Sequence, residues 1–167
     1  TWVLGRLVEQ VSGQTLDRLM RERLFEPLGM RDTSYRVPAS ELSRLVTVHS
    51  RRDEGLDEAP NPTDEVVVAV RGAAGLFSAA EDYARYIRLV LNQGVGADGA
   101  RLLGADTVAL MSRNHLPEGV LVELQPGADA TRSRAFPLGA GRDGFGLGFQ
   151  VTGDHDDPAV RTPGSLS

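Results

Sequence analysis

Ser78 and Glu81 form an S-x-x-E capping box directly ahead of Tyr83, Ala84, Ile87, Val90 and Leu91, whose spacing is that of one helix face. The pattern predicts a helix from about 79 to 92. Leu4, Leu7, Val8 and Val11 also recur at helical spacing, with Gly13 where a left-handed C-terminal cap would fall, so residues 2–12 read as a helix. A further helix follows, with Thr15 as N-cap, Asp17 in the first turn, a stripe of Leu16, Leu19, Met20 and Leu24, and Pro27 as its end. The short join between these two predicts a hairpin in which the facing stripes bury each other.

Strand signals are fewer. Val66, Val67, Val68, Ala69 and Val70 form a short, mostly β-branched run, and residues 145–151 alternate large side chains with glycine, which suits a strand closely approached by another backbone. Residues 31–63 carry no sustained period beyond the patch at Leu42, Leu45, Val46 and Val48, and 51–63 read as an acidic, proline-bearing surface loop. A turn at 94–99 and a short helix at 106–111 complete the pattern, with 123–143 irregular.

With 167 residues, 41% hydrophobic and 25% charged, the composition is that of a globular chain near the size of one domain. A net charge of −5 with both signs scattered provides no basic stripe for a phosphate backbone, which argues against nucleic acid as a partner. No apolar run approaches the ~20 residues of a bilayer span, and the compartment is left open. The absence of cysteine removes disulfides, thiolate nucleophiles and cysteine-based zinc sites. All 18 basic residues are arginine; arginine keeps its proton far above neutral pH, so any step needing lysine as a base must obtain it from outside these residues.

The chemical motifs are weak. Residues 94–99 and 139–144 both fit G-x-G-x-x-G, but a helix is expected before the first and a strand after the second, the reverse of the nucleotide-binding context, and both read as chance among 19 glycines. His49, His115 and His155 are far apart, and none has a helical partner histidine. Asp154, Asp156 and Asp157 could face a calcium ion, but Pro158 stands where a calcium loop needs glycine, and a solvated turn fits better. Asp53, Glu54, Asp57, Glu58, Asp64 and Glu65 read as charge on a wet loop, with nothing apolar to raise a pKa. No serine lies in G-x-S-x-G or is followed three residues later by lysine, and Ser112-Arg113-Asn114 reads as a helix end.

Three blocks nevertheless resemble one family. The first runs from Leu4-Gly5-Arg6-Leu7 through Val11-Ser12-Gly13-Gln14-Thr15-Leu16 to Pro27-Leu28-Gly29-Met30-Arg31-Asp32-Thr33, and the second is Gly72-Ala73-Ala74-Gly75-Leu76-Phe77-Ser78 with the helix to Leu91-Asn92-Gln93-Gly94. The third extends from Arg101-Leu102-Leu103 to Met111, Asn114 and His115, with Gly144 to Gly148 as a tail. Together they resemble the class C-like branch of the serine beta-lactamase and D-alanyl-D-alanine carboxypeptidase superfamily, which includes peptidases and esterases.

The resemblance implies an α+β fold of which residues 1–167 are a single partial domain, the mostly helical portion, with most of the antiparallel sheet missing and apolar surface exposed that could drive self-association. It implies acyl transfer to serine and hydrolysis of a small-molecule or peptide acyl substrate, without cofactor or metal. The family's S-x-x-K pair and Y-x-N element would precede this chain and its third strand motif would follow it, so no catalytic residue is assigned here. What the resemblance leaves is the pocket wall, at Gly72, Ala73 and Ala74; some relatives carry an aromatic where Ala74 stands, which implies a wider pocket. The plainer alternative for the turn at 72–74 is that it only lets chain and sheet pack closely, and the competing reading of the whole chain is a non-catalytic helical binding or structural module.

Overall fold

The structure, a computed structural model, describes residues 1–52, 55–58, 62, 64–67, 70–120, 143–154 and 161–167. The chain divides into two compact units, Thr1–Leu102 and Leu103–Ser167.

In the first unit, α1 (Trp2–Ser12) ends where expected, at Gly13 with φ 68, whose N–H donates to the Glu9 carbonyl at 2.9 Å. It packs on α2 (Leu16–Met20). Thr15 takes the extended N-cap conformation, but its side chain makes no cap bond; the Leu16 N–H donates instead to Glu9 Oε1 at 3.0 Å. The first N–H of the helix is therefore satisfied by a carboxylate from the preceding helix.

Pro27 does not end the helical run. After α2 the backbone widens into a π-helical turn over Arg21–Phe25, resumes as α3 (Glu26–Leu28) and stops at Gly29, φ 68, with the Met30 N–H reaching the Phe25 carbonyl at 2.8 Å. Proline has no N–H to donate and its ring crowds the carbonyl four residues before it; a widened turn just ahead of the ring relieves that conflict without breaking the helix.

The expected mutual burial of the hairpin stripes is not realised on α1. Gly5 is its buried residue, while Leu4 is 59% and Val11 81% exposed. Gly5 and Glu9 lie four apart on one face, and this is the face that meets α2 and the chain at Gly72; a Cβ on Gly5 would sit 3.1 Å from the Gly72 nitrogen and 3.2 Å from Leu16 Cδ2. Because α1 docks through its smallest residue, the neighbouring apolar stripe points away. The unit's core is Leu16, Phe25, Leu28, Met30, Val37, Leu89 and Val90. Leu89 is wholly inaccessible, a burial that contributes roughly 1.5–3 kcal/mol.

β1 (Arg36–Val37) precedes a 3₁₀ helix over Ala39–Arg44 and pairs antiparallel with β4 (Val66–Val67), Val37 opposite Val66. The strand expected over 66–70 is thus present at its start; 68 and 69 lie outside the described residues. The stretch read as a loop from Arg51 contains a hairpin, β2 (His49–Arg52) with β3 (Gly55–Glu58). β3 is exposed throughout, so its pairing rests on main-chain hydrogen bonds and leaves no apolar alternation to read in the sequence. α4 (Ala80–Leu91) matches its prediction to within a residue. The following turn is closed by Gly96 N–H to the Ala100 carbonyl at 2.8 Å and Leu102 N–H to the Gly94 carbonyl at 2.9 Å.

The second unit contains α5 (Ala105–Met111) and the two strands β5 (Gly144–Phe145) and β6 (Gln150–Val151). The single strand expected at 145–151 is instead this antiparallel hairpin, closed by Gly146 N–H to the Phe149 carbonyl at 2.7 Å with Gly148 at φ 98. The close backbone approach read from its glycines is present: a Cβ on Gly146 would collide with the Met111 carbonyl oxygen, and one on Gly144 with the Asn114 side chain. Residues 165–167 add to the far edge of β6, exchanging Gln150 and Ser167 backbone bonds at 2.9 and 3.1 Å. Among the described residues every sheet is two-stranded, in keeping with the helical portion of an α+β fold.

Candidate functional site

Gly72, Ala73 and Ala74 occupy a tight turn closed by an antiparallel bridge between Arg71 and Ala74, and all three are exposed. The turn is fastened from several sides. Gly72 lies backbone to backbone on the first turn of α1: a Cβ there would overlap the Thr1 carbonyl oxygen and stand 3.1 Å from the Gly5 nitrogen. The Arg71 guanidinium covers the Trp2 ring at 4.4 Å from its centroid. The Tyr35 hydroxyl donates to the Arg71 carbonyl at 3.2 Å, and burial, with Asp17 adding to it, pushes the Tyr35 phenol above its usual value. Beyond Gly75, at φ 94, Ser34 and Phe77 exchange backbone hydrogen bonds at 2.8 and 3.1 Å. Trp2, Val3, Leu16, Val70, Arg71 and Gly72 are among the residues around an adjoining, largely apolar cleft of about 290 Å³.

At the start of α4 the capping box is not formed: Ala79 is the N-cap and no side chain caps it. Ser78 Oγ instead meets Thr33 Oγ1 at 2.8 Å, and Glu81 pairs with Arg85 at 2.8 Å. The buried acceptor is Asp82, 2% exposed, which takes the Asp32 N–H at 2.7 Å, the Thr33 hydroxyl at 2.9 Å and Arg85 Nη1 at 2.8 Å. This network locks the end of the P-L-G-M-x-D-T segment to α4, and above it runs a groove of about 700 Å³ between 31–46 and 77–80. On the groove's charged rim Arg44 forks onto Asp32, at 2.6 and 2.8 Å, and reaches Glu41 at 2.9 Å. The hydrogen bond from Arg44 holds the Asp32 carboxyl below the usual carboxylate range.

Among the described residues, the remaining candidates are not brought together as a reactive group. Ser112 Oγ donates to the Val108 carbonyl at 2.8 Å, and Asn114 Oδ1 accepts the N–H groups of Leu116 and Phe145, both at 3.0 Å, so this helix end is used in local structure. His49 lies on β2, His115 Nε2 contacts the Leu110 carbonyl at 2.7 Å, and His155, Asp156 and Asp157 lie outside the described residues, as do Asp53 and Glu54. Asp57 and Glu58 lie on exposed β3, Asp64 is exposed, and Glu65 pairs with Arg36. Among the described residues no three His, Cys, Asp or Glu side chains gather as a metal site. The 94–99 glycine match follows helix α4 and precedes no helix start, while 139–142 of the second lie outside the described residues. Sequence reasoning missed Asp82, Arg71, Trp2 and Tyr35; only the i,i+3 spacing of Asp82 and Arg85 was there to find.

The turn at 71–74 presents backbone groups and the methyl groups of Ala73 and Ala74 at the surface, and the groove between 31–46 and 77–80 presents a charged rim. Residues 1–166 match the beta-lactamase family, and the chain belongs to that family. It is 36% identical over 110 residues to penicillin-binding protein 4 of Amycolatopsis lactamdurans, covering 65% of this chain and 29% of that protein. It is 33% identical over 164 residues to the lovastatin esterase of Penicillium rubens, covering 89% and 38%. A solved variant of simvastatin synthase from Aspergillus terreus shares the fold at a TM-score of 0.74 and 24% identity, over 99% of this chain and 41% of that one. The chain thus spans well under half the length of each of these relatives.

Proposed function

We propose that this chain is the helical, pocket-wall part of an acyl-serine hydrolase acting on a beta-lactam, a D-alanyl peptide or an ester, and that by itself it does not turn over substrate. The observation that carries this is the conjunction of a family match over residues 1–166 with a sequence that holds no lysine and no S-x-x-K pair. In this reading serine attack and proton transfer come from other parts of the parent protein. Gly72, Ala73 and Ala74 line the acyl pocket, and the exposed stripe of α1 is a surface that the parent covers or through which isolated chains self-associate.

Intact mass after incubation with a fluorophosphonate and with a reactive penicillin tests it. The expected result is no adduct on this chain and a single adduct on the parent polypeptide. An adduct on this chain would refute the inactive reading. Absence of any adduct on the parent would favour a helical binding module, for which the exposed stripe of α1 is the supporting feature.

A further inference from the structure

We infer that Arg71 and Gly72 are positioning residues that set the Ala73–Ala74 wall through the first turn of α1, with Trp2 as their partner; this rests on the proposed role of the 72–74 turn. Three observations converge on it. Gly72 and Gly5 face each other with no side chain between them, so the turn sits at backbone contact distance from α1 and any Cβ at 72 must push it outward, because the obstacle is the Thr1 carbonyl rather than a movable side chain. Thr1's carbonyl is itself engaged by the Gly5 N–H at 3.0 Å, which fixes it as part of the helix. Arg71 lies over Trp2 and has no carboxylate partner among the described residues, so the indole ring is the anchor for its guanidinium. Its carbonyl is held in turn by the Tyr35 hydroxyl.

The two residues exposed beyond this clasp are alanines, too small to hold a position by their own packing. Their placement is inherited from Arg71 and Gly72. Trp2 is the sole tryptophan of these 167 residues, and in the parent polypeptide the difference in emission between proteins with Trp2 and with Trp2→Phe isolates its signal.

The experiment is done on the parent polypeptide with Arg71→Ala, Arg71→Lys, Trp2→Ala, Trp2→Phe, Gly72→Ala and the double variant Arg71→Ala/Trp2→Ala, following KM and kcat for an acyl ester with a bulky acyl group and labelling by a small fluorophosphonate in all of them, and Trp2 emission in those that retain Trp2. Arg71→Ala should shift Trp2 emission and raise KM about two- to fivefold, the ratio an exposed cation–π contact carries, with kcat and labelling unchanged. Arg71→Lys and Trp2→Phe, which keep a cation over a ring, should restore most of the KM, and the double variant should be no worse than either single alanine variant. Gly72→Ala should raise KM more than Arg71→Ala. Labelling of the wild type with KM unmoved in the Arg71→Ala and Trp2→Ala proteins, or additive losses in the double variant, would overturn the inference alone. A wild type that is never labelled would overturn the functional reading beneath it.

Discussion

Replacing Asp82 by alanine is the perturbation for which the sequence and the structure make opposite forecasts. If Ser78 and Glu81 formed a capping box, each would contribute about 1 kcal/mol to helix stability and Asp82 would be an ordinary first-turn acid worth a few tenths. In the structure Asp82 is buried and accepts three hydrogen bonds, from the Asp32 N–H, the Thr33 hydroxyl and Arg85. A hydrogen bond to a charged acceptor contributes about 1.5–3 kcal/mol, but Thr33 keeps Ser78 as an alternative partner and the Arg85 pair, with a guanidinium 35% exposed, is worth ~0.5–1 after screening. The net expectation for Asp82→Ala is a loss of about 2–4 kcal/mol, dominated by the orphaned Asp32 N–H. Glu81→Ala should lose at most ~0.5 kcal/mol, the value of an exposed i,i+4 pair. Urea unfolding followed by circular dichroism, with the slope held common to the variants, measures both. Equal losses at 81 and 82, or a loss under ~1 kcal/mol at 82, would refute the argument.

Two further outcomes are expected. Because Arg44 lowers the Asp32 pKa relative to the unfolded chain, the pair adds stability that is fully present above the ordinary carboxylate value and disappears as pH falls through the lowered folded value, below about pH 4. Arg44→Gln should flatten the acid limb of the stability curve in that window and raise the Asp32 midpoint in an NMR titration. Gly146→Ala should cost at least about 1–3 kcal/mol, because its Cβ would meet the fixed Met111 carbonyl, whereas Gly99→Ala, which has open space but φ 85, should cost only ~1–2; thermal melts of the two variants rank them.

The sequence by itself determined the elements whose causes are local. The stripe at 2–12 with Gly13, the periodicity of 80–91 and the short helix at 105–111 need only the 3.6-residue repeat and a stop signal, and each forms where those signals fall. It also carried the motif strings that mark the beta-lactamase family and, by lacking lysine, the limits of the chemistry these residues can perform. Tertiary structure decided how helix ends and faces were satisfied. The Leu16 N–H at the start of α2 goes to Glu9 rather than to the Thr15 side chain, and at the start of α4 Ser78 is drawn to Thr33, partners that only the fold brings within reach, while Glu81 pairs with Arg85. The clasp of Arg71, Gly72 and Trp2 joins residues about seventy positions apart, and backbone contact between two glycines leaves no periodic trace in a sequence. α1 turned its apolar stripe outward for the same reason: which face of a helix is buried depends on how closely its neighbours can approach, and at Gly5 they approach most closely.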